Sequence, residues 1–222
     1  MRDALHPHSP TKGFRMLLRQ LPARAALFLA LTAGLSCTDS TAPQPEQRDA
    51  TDLRLLAAPY GTPPLASTQV SFYAVKGKDA GADIWYRPRA GRTDSTKFLE
   101  FRMGGASLDR RPDGSAIAQG DSVLITLTVT DPTHFIVEFQ PSGLTFSPAA
   151  QPTLRISFAA CGDDLNYDGV VDATDAAMQA GLSVWRQEAP FQPWYKVPST
   201  VATSVKEVNS QLGGFTGYAL MY

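Results

Sequence analysis

Val123-Leu-Ile-Thr-Leu-Thr-Val-Thr130 is the stretch on which the fold turns. Val123, Ile125, Leu127 and Val129 alternate with Thr126, Thr128 and Thr130, a period of two with one polar face. In an extended chain that period puts all the apolar side chains on one side, so the stretch reads as a half-buried strand. The same alternation recurs. Val70, Phe72 and Ala74 interleave with Ser71 and Tyr73, and Leu99, Phe101 and Met103 with Glu100 and Arg102. Phe135, Val137 and Phe139 follow, then Leu154, Ile156 and Phe158 around Arg155 and Ser157. Turn formers separate these runs: Asp113-Gly114, Gly120-Asp121, Asp131-Pro132 and Pro141-Ser-Gly143. Many short strands with frequent turns predict a mainly β protein, an antiparallel β-sandwich and not a βαβ sheet.

Helix is expected in two places. Ala173 to Ala180 is rich in Ala and contains Met, and Gly181 stops it. Ser199 to Leu212 shows Val201, Val205, Val208 and Leu212 at helical spacing, although a strand across Ser199–Ser204 fits nearly as well. The closing Phe215-Thr-Gly-Tyr-Ala-Leu-Met-Tyr222 reads as an aromatic-rich final strand, and no internal repeat is visible.

Val137-Glu-Phe-Gln-Pro-Ser-Gly-Leu-Thr-Phe-Ser-Pro148, running into Leu154-Arg-Ile-Ser157, resembles the signature of the ZU-five domain: a strand, Pro-x-Gly-x-x-Phe-x-x-Pro, then another strand. Gln119-Gly-Asp-Ser-Val-Leu-Ile-Thr-Leu127 resembles the strand before it. The closing Phe-Thr-Gly-Tyr-Ala resembles the His-Phe-Ser-x-Tyr-Ala ending of bacterial lipoproteins of this type. The resemblance covers about residues 68 to 222 and implies a sandwich used for protein contacts, without intrinsic small-molecule chemistry. Some relatives cleave their backbone at His-Phe-Ser, a reaction that needs a hydroxyl nucleophile and a base. This chain has Gly214-Phe215-Thr216, which keeps the hydroxyl and lacks the His, so no autoproteolysis is expected.

One segment carries the chemistry of a metal site. In Asp164-Leu-Asn-Tyr-Asp-Gly-Val-Val-Asp-Ala-Thr-Asp175, oxygen side chains occupy positions 1, 3, 5, 9 and 12: Asp164, Asn166, Asp168, Asp172 and Asp175. Gly169 stands at position 6, where a calcium loop turns sharply. Val170 would add its backbone carbonyl, Asp172 would act through water, and Asp175 would close the shell from a helix start, where a carboxylate also suits the helix dipole. Asp163 to Asp175 holds five carboxylates and no cation, a self-repelling cluster unless solvated or metal-bound. The loop resembles the dockerin form of the EF-hand, which runs from loop into helix with no entering helix. Because a single copy sits between β segments, one structural Ca2+ is expected in an insertion at 161–182, and not the paired unit of a true dockerin. With no thiolate or imidazole, the loop does not suit zinc.

The N-terminal region reads as an address. Arg15, Arg19 and Arg24 precede the eleven-residue apolar run Ala25 to Leu35, too short to span a bilayer and proportioned as a secretory signal over residues 1–36, with Met16 as an alternative start. Gly34-Leu-Ser-Cys37 resembles the bacterial lipobox, with Gly34 where that motif prefers Leu. The resemblance implies an acylated Cys37 and a membrane contact through lipid alone. Residues 37–67 are expected to be a disordered tether and 68–222 the sandwich. The location implied is the bacterial envelope, periplasmic or cell-surface side, the outer membrane before the inner. Losing residues 1–36 removes five basic and one acidic side chain from 20 and 21, leaving 15 and 20 and a net charge of −5, which makes nucleic acid an unsuitable partner. Cys37 and Cys161 are the two cysteines, so acylation of the first leaves Cys161 without a disulfide partner, as a small buried residue.

Catalytic constellations are not apparent. His134 is the only His after the signal and is expected on a strand surface, near Asp131 in sequence, with Ser122 and Ser142 unplaced. Glu100, Glu138 and Glu188 give no reason to be paired. Trp185, Phe191, Trp194, Tyr195, Phe215, Tyr218 and Tyr222 gather late, with core packing the favoured role and Trp194-Tyr195 the part expected to be exposed. The function expected is that of a non-enzymatic, lipid-anchored, calcium-braced interaction or adhesion module binding a protein or glycan. A carbohydrate-binding or carbohydrate-active sandwich is the alternative, and a dockerin-like assembly partner a weaker one.

Overall fold

A computed structural model describes residues 45–91 and 95–222. The segment expected to be a signal, Cys37 and residues 38–44 of the expected tether lie outside the described residues. Among those described, the strands are β1 Gln47–Arg48, β2 Gln69–Val75, β3 Ala80–Trp85, β4 Lys97–Met103, β5 Leu108–Arg110, β6 Ser122–Asp131 and β7 Ile136–Gln140. There follow β8 Thr145–Phe146, β9 Thr153–Ser157, β10 Ser183–Gln187, β11 Trp194–Lys196, β12 Ser199–Ala202, β13 Glu207–Gln211 and β14 Gly217–Met221. One helix, α1, spans Ala173–Gly181.

The expectation of a mainly β, antiparallel fold holds. A seven-stranded sheet runs β1-β11-β10-β14-β7-β6-β2, a five-stranded sheet runs β12-β13-β9-β4-β3, and β5 and β8 form a small ribbon. Every ladder between strands is antiparallel. The two large sheets bury their apolar faces against each other. Val123, Ile125, Leu127 and Val129 from one sheet and Leu99, Phe101, Leu154 and Ile156 from the other belong to one buried cluster. Phe101 and Phe139 meet with ring centroids 5.4 Å apart, and Phe215 touches both at 5.7 and 5.0 Å. A fully buried ring of this kind contributes about 2–3 kcal/mol.

The polar face of the five-stranded sheet also has an order. Register places Thr200, Asn209, Arg155, Glu100 and Asp83 in one row across five strands. Glu100 is paired with Arg155 at 2.9 Å and with Lys97, and Asp83 with Arg102 at 2.8 Å. Opposite charges facing each other across strands are the sheet counterpart of helical i,i+4 pairs. They agree with the register that the buried face of the same strands sets.

Three expectations are corrected. Ser199–Leu212 is a β-hairpin, β12 and β13, and not a helix. Its Val201 is half-buried, Val208 and Leu212 lie inward and Val205 is 57% exposed in the turn, so the helical spacing was a coincidence of two short strands. His134 stands in the turn between β6 and β7 and not on a strand. The disordered tether expected over residues 37–67 is corrected in its described part. From Gln47 on, the chain is strapped to the sandwich: β1 adds to β11, Leu55 bridges Met221, Leu56 is fully buried and Leu65 bridges Tyr86. The apolar residues Leu53 and Leu55 explain the docking, since the outer face they reach carries Trp185, Trp194 and Met221, while Leu56 turns into the main core.

Candidate metal centre

The loop that follows β9 leaves the five-stranded sheet through a 3₁₀ turn at Ala159–Cys161 and re-enters the other sheet at β10 after α1. Its anchors are apolar. Cys161 and Leu165 are buried at 4% exposure, and Leu182 at 2%. Between them the acidic residues are organised by backbone N–H groups. Gly169 N–H donates to Asp164 Oδ2 at 2.9 Å, Asp168 N–H to Asn166 Oδ1 at 3.0 Å, and Val170 N–H to Asp168 Oδ1 at 2.8 Å. Within Asp164–Asp175 two residues hold left-handed backbone, Tyr167 at φ 58° and Gly169 at φ 89°. The glycine takes its conformation without steric cost, which is why the sharp turn falls there.

Asp172 and Asp175 start the helix. Thr174 N–H donates to Asp172 Oδ1 at 2.7 Å and Asp172 N–H to Asp175 Oδ2 at 3.0 Å, a reciprocal capping box. Asp175 Oδ1 reaches back across the loop and accepts from Leu165 N–H at 2.6 Å and Asn166 N–H at 3.2 Å. At 2% exposure, Asp175 is the buried clasp that ties the loop's start to its end. These N–H groups, that of Asp172 foremost, hold its carboxyl below the usual carboxylate range despite burial.

The arrangement gives the position-12 side chain a role that spacing alone did not reveal. Asp175 spends both oxygens on backbone donors, although a carboxylate offers about four lone-pair sites, so contact with a cation is compatible with the clasp. Among the described residues, no three carboxylate, imidazole or thiolate side chains converge closely enough to share an ion. The fit with a hard cation rests on Asp164. Its Oδ2 is fixed by Gly169, while its Oδ1 is buried with no hydrogen-bond partner. A buried acceptor left open costs free energy unless something meets it.

The remaining candidates are placed as follows. His134 Nδ1 lies 2.7 Å from Asp131 Oδ2, a contact within one turn, while neither Ser122 nor Ser142 bonds to it. Glu100, Glu138 and Glu188 lie on different strands or edges and are not paired with one another; Glu188 holds Arg186 at 3.0 Å. Thr216 is 5% exposed and its hydroxyl donates to the Gln187 carbonyl. A Cβ at Gly214 would meet the Leu144 carbonyl oxygen at 3.0 Å, so a His here would require that carbonyl to shift by a few tenths of an ångström. The exposure expected of Trp194 is corrected. Trp194 and Trp185 are 5% and 1% exposed under the strap, and Arg48 sits 4.5 Å over the Trp185 ring. Phe191, at 97%, is the exposed aromatic of that group. Cys161 lies buried with its thiol 3.6 Å from the Ala57 carbonyl, and burial pushes its pKa up, as for an inert thiol.

No protein-family model matches this chain, and neither a curated protein nor a solved structure is similar to it.

Proposed function

We propose that the chain is a lipid-anchored envelope protein whose β-sandwich serves as a non-enzymatic interaction module braced by one calcium ion. The observation that carries the metal is the split role of Asp164: one oxygen held by the Gly169 N–H, the other buried and unpartnered. Asn166, Asp168 and the Val170 carbonyl would complete the shell, with Asp172 through water and Asp175 at the helix start. Calcium takes six to eight oxygens at flexible geometry, which suits a loop whose donors are short and backbone-held. Bound there, the ion supplies charge neutralisation between β9 and β10 and no chemistry. The anchor reading rests on Cys37 at the end of the apolar run. The module reading rests on the sandwich and on the ZU-five resemblance.

Calorimetry and thermal melting of the full chain with calcium and with EDTA test the metal. Calcium is expected to bind with a Kd of roughly 10⁻⁴ to 10⁻³ M and to raise Tm. Asp164→Asn should abolish both effects while leaving the Tm in EDTA close to that of the wild type, because Asn retains an acceptor for Gly169. Absence of binding heat together with an unchanged Tm at millimolar calcium would overturn the reading.

A further inference from the structure

Where β11 runs into β12, the chain turns from one large sheet into the other, and a cleft of about 750 Å³ opens beside the corner. That volume lies within the roughly 300–1,000 Å³ of small-molecule sites. Arg186 and Tyr195 are cross-strand partners in the β10–β11 ladder and both line the cleft. Thr200, Asn209 and Gln211 line it from β12 and β13, and Gln151 from the approach to β9. Among the described residues, no carboxylate lines it. Lys196 borders it, but its ammonium sits 5.8 Å from the Trp185 ring and is bonded to Glu46 at 3.0 Å, on the other face of the strand. The guanidinium of Arg186 is therefore the cation available to the cleft. Its partner Glu188 is 53% exposed, and an exposed pair of this kind holds weakly.

Asn209 adds a second observation. Its amide oxygen is covered and has no hydrogen-bond partner, an unpaired acceptor that a ligand hydroxyl would meet once the side chain turns toward the cleft. The set is then an open acceptor, neutral amides and a threonine hydroxyl, one aromatic ring and a single guanidinium. Sugar hydroxyls donate and accept, their C–H faces pack on a tyrosine ring, and a carboxylate meets arginine in a bidentate pair. We infer that the cleft between β10–β11 and β12–β13 is a binding site for an acidic glycan, one bearing a uronic-acid residue. The site shares no residue with the Asp164–Asp175 loop and does not rest on the calcium reading. It also differs from a tryptophan platform, since both late tryptophans are covered.

Two matched disaccharides, cellobiouronic acid and cellobiose, test this by titration into the isotopically labelled full chain at fixed free calcium, read from backbone amide shifts. The acid is expected to shift the amides of Arg186, Tyr195 and Asn209 and to bind about tenfold more tightly than cellobiose. Arg186→Gln should bring the acid to the affinity of cellobiose, and Asn209→Ala should weaken both sugars. The inference is overturned if neither sugar shifts these amides up to about 10 mM, well above a millimolar Kd. It is equally overturned if the two sugars bind alike, or if binding of the acid survives Arg186→Gln.

Discussion

Asp164 and Asp175 stand at the two ends of one loop and do different work. Asp175 is a structural clasp, accepting three backbone N–H groups and closing the capping box with Asp172. Asp164 keeps an oxygen open. The clasp predicts a pH dependence. The folded-state pKa of Asp175 is held below its ordinary value, first by the Asp172 N–H and then by those of Leu165 and Asn166. A depressed carboxylate stabilises the fold above its unfolded pKa of about 3.9, and that contribution is lost as pH falls through the folded value. Glu100 is shifted in the same direction, by Lys97 first and then by Arg102 and Arg155. Urea midpoints measured without calcium should therefore hold near neutrality and fall below about pH 4. Asp175→Asn should flatten part of that acid slope and lower the urea midpoint at pH 7, because the neutral amide is a weaker acceptor for the three backbone N–H groups. An acid slope identical to wild type would contradict the role given to Asp175.

At the scale of elements, the N-terminal strap runs along one end of the seven-stranded sheet and reaches from there to the acidic loop. Arg48 donates to the Tyr222 carbonyl at 2.7 Å, Leu56 N–H to the Leu220 carbonyl at 3.0 Å, and Ala58 N–H to the Thr133 carbonyl at 2.7 Å. The hydroxyl of Tyr167, within the acidic loop, donates to the Ala57 carbonyl. Loop order and strap docking are thus linked through one hydrogen bond and the Cys161 contact. Tyr167→Phe should cost about 1 kcal/mol and speed amide hydrogen exchange at Leu53–Ala58, with little change at β4 or β6. Uniform exchange across the chain would show that the strap docks independently of the loop.

The sandwich sets what an anchor can present. Residues from Gln47 onward are docked, with β1 at the edge of the seven-stranded sheet, and the anchor proposed at Cys37 lies ten residues before Gln47 in the sequence. Wild-type protein should partition into a detergent phase and Cys37→Ala into the aqueous phase; unchanged partitioning of the variant would remove the lipid from the reading. Five alternating runs were legible as strands in the residues themselves, because burial of one face imposes period two wherever a strand meets a core. The turn at Gly169 and the helix start at Ala173 were legible for the same kind of reason, since they are local geometry written in local residues. β3 was not, although Ala82, Ile84 and Tyr86 alternate inward, because Gly81 and Asp83 give it no strand propensity. The hairpin at Ser199–Gln211 was ambiguous until β9 supplied a partner for β13. The covered tryptophans, the Asp175 clasp and the Arg186–Asn209 cleft depend on residues far apart in the chain. The amino-acid order determined which faces are apolar and where the chain turns, because those are short-range preferences; the tertiary structure alone decided which apolar face is covered by which segment and which polar atoms are left without partners, because both are set by contacts between distant segments.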